Sequence, residues 1–135
     1  MTAPPLFAVS YSSLPARPLG AGEVDALVAR SAAANRRRGL TGQLLLVEDG
    51  DRVVRYVQWF EGPQDAALDL LRRISNDARH YDLRLSFVGP VDERRYGQWS
   101  MRYRRLPVEV LDRARLWTPS TPNLPVRDAV FDVVD

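Results

Sequence analysis

One polar side chain stands where a buried strand would carry an apolar one. In RYVQWFEGP, residues 55–63, the two-residue period of a strand places Gln58 on one face between Tyr56 and Phe60. A primary amide has two donor hydrogens and an acceptor oxygen, and burying it is unfavourable unless these groups find partners. The pattern therefore predicts a polar group opposite Gln58 in the core.

Three further polar positions turn toward the same predicted core. Asn35 falls on the inner face of the first predicted helix, in phase with the valines of that helix. Asp77 lies on an apolar face at the end of the second predicted helix, with Arg73 as its (i, i+4) partner. Tyr11 ends the first predicted strand, in phase with Val9. We expect these side chains to converge in one pocket.

A planar heterocycle such as a flavin matches this set of groups. The amide of Asn35 can accept a hydrogen bond from a ring N–H and donate one to the neighbouring ring carbonyl. Leu27 and Ile74, one on each predicted helix, are placed to contact the two faces of such a ring. The predicted pocket thus suits a planar heterocycle, of which a flavin is one example.

The elements that position these residues follow the order β-α-β-β-α-β-β. The predicted helices run from about 22 to 38 and from 63 to 76, and the predicted strands cover 6–11, a hairpin over 40–62, 83–88 and 98–104. In the second hairpin strand, Val54 is predicted to share the face of Gln58, and Val53 the other face. The order predicts an α+β ferredoxin-like sandwich, a mixed sheet with both helices on one face.

Two units are predicted along the chain. Residues 1–105 form the domain that contains the predicted pocket, and residues 106–135 form a helical and proline-rich extension. Within the extension, 108–116 has the pattern of an amphipathic helix that could cover the bare face of the sheet. This extension is the candidate output or dimer element.

Composition narrows the classes of function. The 135 residues contain no cysteine and one histidine, so disulfides, thiolate catalysis and zinc-finger spacings are excluded and no transition-metal site is expected, whereas a carboxylate site for Mg²⁺ stays open. A net charge of +2 gives no ground for nucleic acid or an anionic membrane as a partner. With no leader-like or membrane-spanning segment in the sequence, we expect a soluble cytoplasmic protein.

Five stretches, taken together, resemble one known family. They are YSS from Tyr11, NRRRGLTG from Asn35, QWFEGP from Gln58, RISNDARH from Arg73, and WSM from Trp99. In this order and spacing, the sequence resembles a BLUF domain, a blue-light sensor using FAD, over roughly residues 6–103. The resemblance implies a non-enzymatic photoreceptor that holds FAD or FMN non-covalently between its two helices. It also implies a protein partner for the signal, and a homo-oligomer is an open alternative.

The resemblance also implies roles for individual residues. Tyr11 corresponds to the photochemical electron donor, and Gln58 to the amide that links this tyrosine to the flavin. Trp99 and Met101 correspond to residues whose surroundings change with light. The cofactor contacts would come from Tyr11, Gln58, Asn35, Arg73, Asp77, Leu27 and Ile74.

Two other classes of function use the same sandwich. An acylphosphatase-like hydrolase also uses arginine and asparagine, but SSLPARPLGAG after the first strand does not resemble a phosphate-cradling loop. A cofactor-free RNA- or protein-binding module would explain the arginines and aromatics of ERRYGQWSMRYRR. The presence of bound flavin would distinguish the photoreceptor from both of these classes.

At the end of the second helix, Arg79 and His80 are interpreted as groups that satisfy helix carbonyls.

Overall fold

A computed structural model describes residues 5–109 of the chain. Its elements, in chain order, are β1 (Leu6–Pro15), α1 (Ala21–Arg38), β2 (Thr41–Asp49), β3 (Arg52–Pro63), α2 (Gln64–Ser75), β4 (His80–Val91) and β5 (Arg102–Pro107). The predicted order of elements is confirmed. Neither helix of the described part is long and apolar enough to cross a membrane.

The five strands form one mixed sheet in the order β4-β1-β3-β2-β5. β1 pairs antiparallel with both β3 and β4, and β2 pairs antiparallel with β3. β5 adds to the outer side of β2 in the parallel direction, from Gln43 opposite Arg102 to Glu48 opposite Pro107. This is the ferredoxin-like arrangement predicted from the sequence.

Both helices cover the same face of the sheet, which we call the cavity face. α1 packs through Val24 and Val28 against Leu44 and Leu46 of β2. α2 packs its apolar stripe against β1 and β3, in a cluster that includes Ala67, Leu70, Leu71, Ile74, Val9, Tyr11 and Phe60. The two helices thus lie side by side over the central strands.

The end of α1 is set by a glycine. Gly39 has φ +73°, in the left-handed region that glycine adopts without strain, and Leu40 N–H donates to Asn35 O at 2.9 Å. This turn brings the chain directly into β2. It also fixes Asn35 in the last turn of the helix, where its side chain is buried.

The opposite side of the sheet, which we call the back face, has its own core of Ala8, Leu45, Val47, Val57, Trp59, Tyr96 and Leu106. Tyr96 belongs to the β4–β5 loop, residues 92–101, which folds over this face. The predicted helix over 108–116 lies almost entirely outside the described residues. β5 begins four residues later than predicted and runs to Pro107, so it extends past the predicted domain boundary at residue 105.

A bulge in the β2–β3 hairpin reverses part of the predicted alternation. The register shifts between Val47 and Glu48, which pair with Arg55 and Val53. Val53 therefore joins the core of the cavity face, whereas Val54 packs on the back face. The prediction for these two valines was wrong because one extra residue flips every side chain beyond it.

Candidate functional site

A cavity of about 350 Å³ opens between the two helices and the sheet. This volume lies within the range of roughly 300–1,000 Å³ that is typical of small-molecule sites. All seven predicted cofactor-binding residues line the cavity, together with Met101. Its lining is completed by Leu19, Arg30, Ser31, Ala34, Arg38, Leu44, Tyr56, Leu70, Arg79 and His80.

A short chain of polar contacts crosses the floor of the cavity. Tyr11 and Gln58 are directly opposite each other on β1 and β3, and the Tyr11 hydroxyl donates to Gln58 Oε1 at 2.5 Å. The other end of the same amide, Nε2, donates to Met101 Sδ at 3.8 Å. The predicted polar partner of Gln58 is therefore Tyr11, and each end of the amide has a different neighbour.

The proton of Tyr11 is firmly held. Burial, with smaller contributions from Tyr56 and Asp77, raises the pKa of the Tyr11 hydroxyl well above its usual range. Tyr11 is 5% exposed, so the phenol has little access to water. At neutral pH it is a protonated hydrogen-bond donor to Gln58.

Asn35 connects the cavity to the β4–β5 loop. Its side chain is 2% exposed, and its Nδ2 donates to the Ser100 carbonyl at 2.8 Å. Within the described residues, Oδ1 of Asn35 accepts no hydrogen bond and one Nδ2 hydrogen remains, so an acceptor and a donor are available to a ligand. A ligand that contacts Asn35 is therefore linked through the Asn35 side chain to the carbonyl of Ser100, the residue between Trp99 and Met101.

Apolar side chains from both helices line the walls. Leu27 comes from α1, and Leu70 and Ile74 come from α2. The predicted ring-clamping pair, Leu27 and Ile74, thus lines one cavity from two elements. An apolar wall on either side and a polar floor suit a planar ring with hydrogen-bonding groups along its edge.

The predicted ion pair between Arg73 and Asp77 was wrong. Arg73 Nε lies 3.1 Å from Asp69 Oδ2, one turn before it on α2. Asp77 instead binds Arg79, with Nη2 and Oδ2 2.5 Å apart, and this hydrogen bond lowers the pKa of the Asp77 carboxyl. Asp77 lies beyond the last residue of α2, so the helical spacing used in the prediction does not apply to it.

Two residues near the cavity had recognisable signals in the sequence. Tyr56 shares a strand face with Gln58, so the alternation that marked Gln58 also predicts that Tyr56 points the same way. His80 does receive its predicted capping role, with Nε2 2.7 Å from the Ile74 carbonyl, and it also lines the cavity. Arg79 pairs with Asp77 and does not share that role.

Trp99 does not line the cavity. Its indole packs on the back face beside Tyr96, with ring centroids 6.3 Å apart, and the Arg102 guanidinium lies 4.0 Å from the indole centroid. Met101, two residues later, reaches the cavity floor instead. The segment from Trp99 to Arg102 therefore presents side chains to both faces of the sheet.

Glu61 fixes the β4–β5 loop to the back face. Its carboxylate is fully buried and accepts hydrogen bonds from the backbone N–H groups of Arg95 and Tyr96 and from Trp59 Nε1. Arg94 adds hydrogen bonds to the carbonyls of Gly39 and Glu61. The loop that carries Trp99 and Met101 is thus anchored on one side and adjoins the cavity on the other.

The comparison with family models decides what kind of domain this is. The model described as "BLUF: Sensors of blue-light using FAD" matches residues 6–102, well over half of the chain. The chain belongs to the BLUF family. BLUF domains bind FAD or FMN non-covalently, so a flavin is the cofactor expected in this cavity.

Relatives and solved structures agree with this assignment. The chain is 32% identical over 97 residues to photoactivated adenylate cyclase subunit beta and 34% identical over 92 residues to subunit alpha, both of Euglena gracilis. These matches cover 71% and 68% of the chain but only 11% and 8% of the cyclase subunits. The dark-state structure of the BLUF protein BlrB has 29% identity and a TM-score of 0.68, covering 90% of this chain and 84% of that one.

The residues present fit a flavin. Asn35 has the free acceptor and donor that a ring edge requires, and Gln58 directs its amide toward the same space. Leu27 and Ile74 supply the apolar walls, and the lining also includes the cations of Arg30 and Arg38. The cavity therefore has a polar edge and two apolar walls that suit a flavin ring.

Proposed function

We propose that this chain is a blue-light photoreceptor in which Tyr11 and Gln58 form the switch and the β4–β5 loop transmits its state to a protein partner. The observation that carries the proposal is the geometry of the cavity floor. Tyr11 donates to Oε1 of Gln58, and Nε2 of the same amide contacts Met101. One side chain thus joins the redox-active phenol to the loop.

The chemistry assigned to Tyr11 is electron donation coupled to proton release. Bound flavin would supply the absorption of blue light and, when excited, a strong oxidant. A phenol gives up an electron more readily when its proton can leave as well, and the Tyr11 hydroxyl already donates its hydrogen bond to the Gln58 oxygen that could accept this proton. Because its raised pKa keeps Tyr11 protonated, the donor is present in one form over the physiological pH range.

Gln58 links Tyr11 to the loop, and its hydrogen-bonding state distinguishes the lit form from the dark form. Its amide has two chemically different ends, so rotation or tautomerisation produces a second hydrogen-bonding state without net chemical change. Either change alters what faces Tyr11 and what faces Met101. Met101 and the Asn35–Ser100 hydrogen bond then carry the difference into the loop.

The output of this chain is a protein–protein signal. Its sequence relatives are subunits of photoactivated adenylate cyclases, and the chain spans about a tenth of their length. The BlrP1 structure from Klebsiella pneumoniae, with FMN and cyclic diGMP, has 26% identity and a TM-score of 0.66, and this chain covers 27% of it. These relationships support a sensor that controls a separate output unit. The extension over 106–135 is the proposed site of that contact.

Absorption spectroscopy of purified variants tests the switch. The parent protein should be yellow, and blue light should shift its flavin absorption reversibly to the red. Tyr11→Phe and Gln58→Leu should retain flavin but lose the shift, because each removes one side of the Tyr11–Gln58 hydrogen bond. Tyr56→Phe is the matched control, since it removes a second phenol from the same cavity and should leave the shift intact.

Two outcomes contradict the proposal. A colourless parent protein that cannot be reconstituted with FAD or FMN excludes the photoreceptor function. A full reversible red shift in Tyr11→Phe excludes Tyr11 as the donor, whatever the behaviour of the other variants.

A further inference from the structure

A second glutamine is buried on the back face, outside the cavity. Gln43 of β2 is fully buried, and its Oε1 accepts hydrogen bonds from Nε of Arg102 at 2.8 Å and from Nη2 of the same guanidinium. In the part of the chain that the structure describes, Gln43 Nε2 has no hydrogen-bond partner. A buried amide that leaves a donor unsatisfied is unfavourable, so its retention needs an explanation.

The guanidinium that binds Gln43 also stacks on Trp99. Its carbon lies 4.0 Å from the centroid of the indole, within the range of a cation–π contact. Gln43 and Arg102 are directly paired across the parallel β2–β5 ladder. Gln43 therefore holds the head of Arg102 in place, and Arg102 in turn holds the indole against the back face.

The backbone beside Trp99 is tied to the same strand. Gly42 N–H donates to the Trp99 carbonyl at 3.0 Å. Gly42 also lies close to the backbone of β3. A Cβ at Gly42 would lie 2.1 Å from the Trp59 carbonyl oxygen, so only glycine fits at this position. Trp99 is thus held by a backbone hydrogen bond at one end and by the Gln43–Arg102 pair at its ring.

We propose that Gln43 and Arg102 are positioning residues that keep Trp99 on the back face and, through the intervening Ser100, keep Met101 against Gln58. The proposal rests on the photoreceptor function above and deepens it. Trp99 and Met101 are separated by one residue, so an inward movement of Trp99 would displace Met101 from the cavity floor. With the described arrangement taken as the dark one, the pair stabilises the dark state relative to the lit one.

The test compares Gln43→Met, Arg102→Met and the double variant with the parent protein. Gln43→Met keeps the length of the side chain but removes the acceptor. Each single variant should retain flavin and slow thermal recovery of the dark spectrum about three- to ten-fold, the effect of losing one hydrogen bond of ordinary net strength. Because both residues act through one contact, the double variant should recover no more than about two-fold more slowly than the slower single variant.

Arg105→Met is the matched control. It removes an arginine from the same strand, one that pairs with Glu48 at 3.1 Å, and it should leave recovery unchanged. Recovery that is unchanged or faster in Gln43→Met and Arg102→Met would overturn the proposal. If the fold-change of the double variant equalled the product of the two single fold-changes, the residues would act separately, and this would also overturn the proposal.

Amide hydrogen exchange gives a readout that does not need the photocycle. In Gln43→Met, the N–H of Gly42 should lose protection about three- to ten-fold, because its acceptor lies on the loosened segment, while that of Leu45 in the same strand should not change. Unchanged protection of Gly42 rejects the positioning role. Absence of a red shift in the parent protein rejects the photoreceptor function instead, so the two failures are distinguishable.

Discussion

The two faces of β3 bury polar side chains three residues apart, and they do so in opposite ways. On the cavity face, Gln58 has one contact at each end of its amide, to Tyr11 and to Met101. On the back face, the carboxylate of Glu61 accepts three hydrogen bonds, two of them from backbone N–H groups of the β4–β5 loop. Both side chains are buried, but the numbers and kinds of their partners differ.

In the proposed function, this difference separates the switch, Gln58, from the anchor, Glu61. An amide with single side-chain partners can exchange them at small cost, because Tyr11 and Met101 can adjust with it. A carboxylate held by backbone donors cannot turn without leaving several buried N–H groups unpaired. Glu61 thus anchors the β4–β5 loop at Arg95 and Tyr96, and in the proposed function the other end of the loop, at Met101, responds to Gln58.

Replacing the anchor should have the largest effect on stability. Glu61→Gln substitutes an NH₂ group for one acceptor oxygen and sets it against backbone N–H donors, so the free energy of unfolding should fall by about 3 kcal/mol. Gln58→Leu, on the other face of the same strand, leaves one buried donor, the Tyr11 hydroxyl, without its acceptor, so the loss should be about 1 kcal/mol. Urea unfolding of the flavin-bound proteins measures both values. Equal losses in the two variants would contradict the distinction between anchor and switch.

Asn35→Ala should show that the cavity face uses its polar groups for the ligand. The substitution leaves the polar edge of the flavin unpaired, at about 1–3 kcal/mol, and should weaken flavin binding about ten- to a hundred-fold. Titration of the apoprotein with FAD and with FMN measures the change. Ser31→Ala, which alters another polar residue of the cavity wall, serves as the control. An Asn35→Ala affinity within two-fold of that of the parent would exclude Asn35 as a contact of the ring edge.

The pKa of Tyr11 predicts a smaller effect, confined to high pH. Its folded-state pKa is raised above the unfolded value, so the unfolded chain releases this proton first as the pH rises past ~10. Stability from this group is fully present below that pH and falls by up to about 1.4 kcal/mol per pH unit above it. Unfolding measured from pH 9 to 11 should therefore have a steeper pH dependence in the parent protein than in Tyr11→Phe. Identical slopes would contradict the raised pKa.

Sequence patterns predicted the elements and the positions of the central residues of the cavity. Alternation on β1 and β3 placed Tyr11 and Gln58 on one face, and helical periodicity turned Asn35 inward, because these periods follow from backbone geometry alone. The structure confirms these positions. The roles of Tyr11, Gln58 and Asn35 remain predictions.

Other features depend on contacts that no local period encodes. The bulge opposite Glu48 moved Val53 to the cavity face, and a single inserted residue leaves little mark on the sequence. Arg73 had two acidic residues within reach and pairs with Asp69 rather than Asp77. The position of Trp99 depends on how the β4–β5 loop crosses the edge of the sheet, and this is decided by tertiary packing rather than by local sequence.

The parallel pairing of β5 with β2 also bears on the order in which the chain folds. The β2–β3 hairpin closes over a two-residue connection at Gly50, whereas Gln43 and Arg102 meet across a separation of 59 residues. Contacts of such high sequence separation lose more chain entropy before they are rewarded, so we expect β5 to dock after the β2–β3 hairpin has formed. Met101, which touches the glutamine of the cavity floor, would then reach its place only once the hairpin that carries this glutamine is in place.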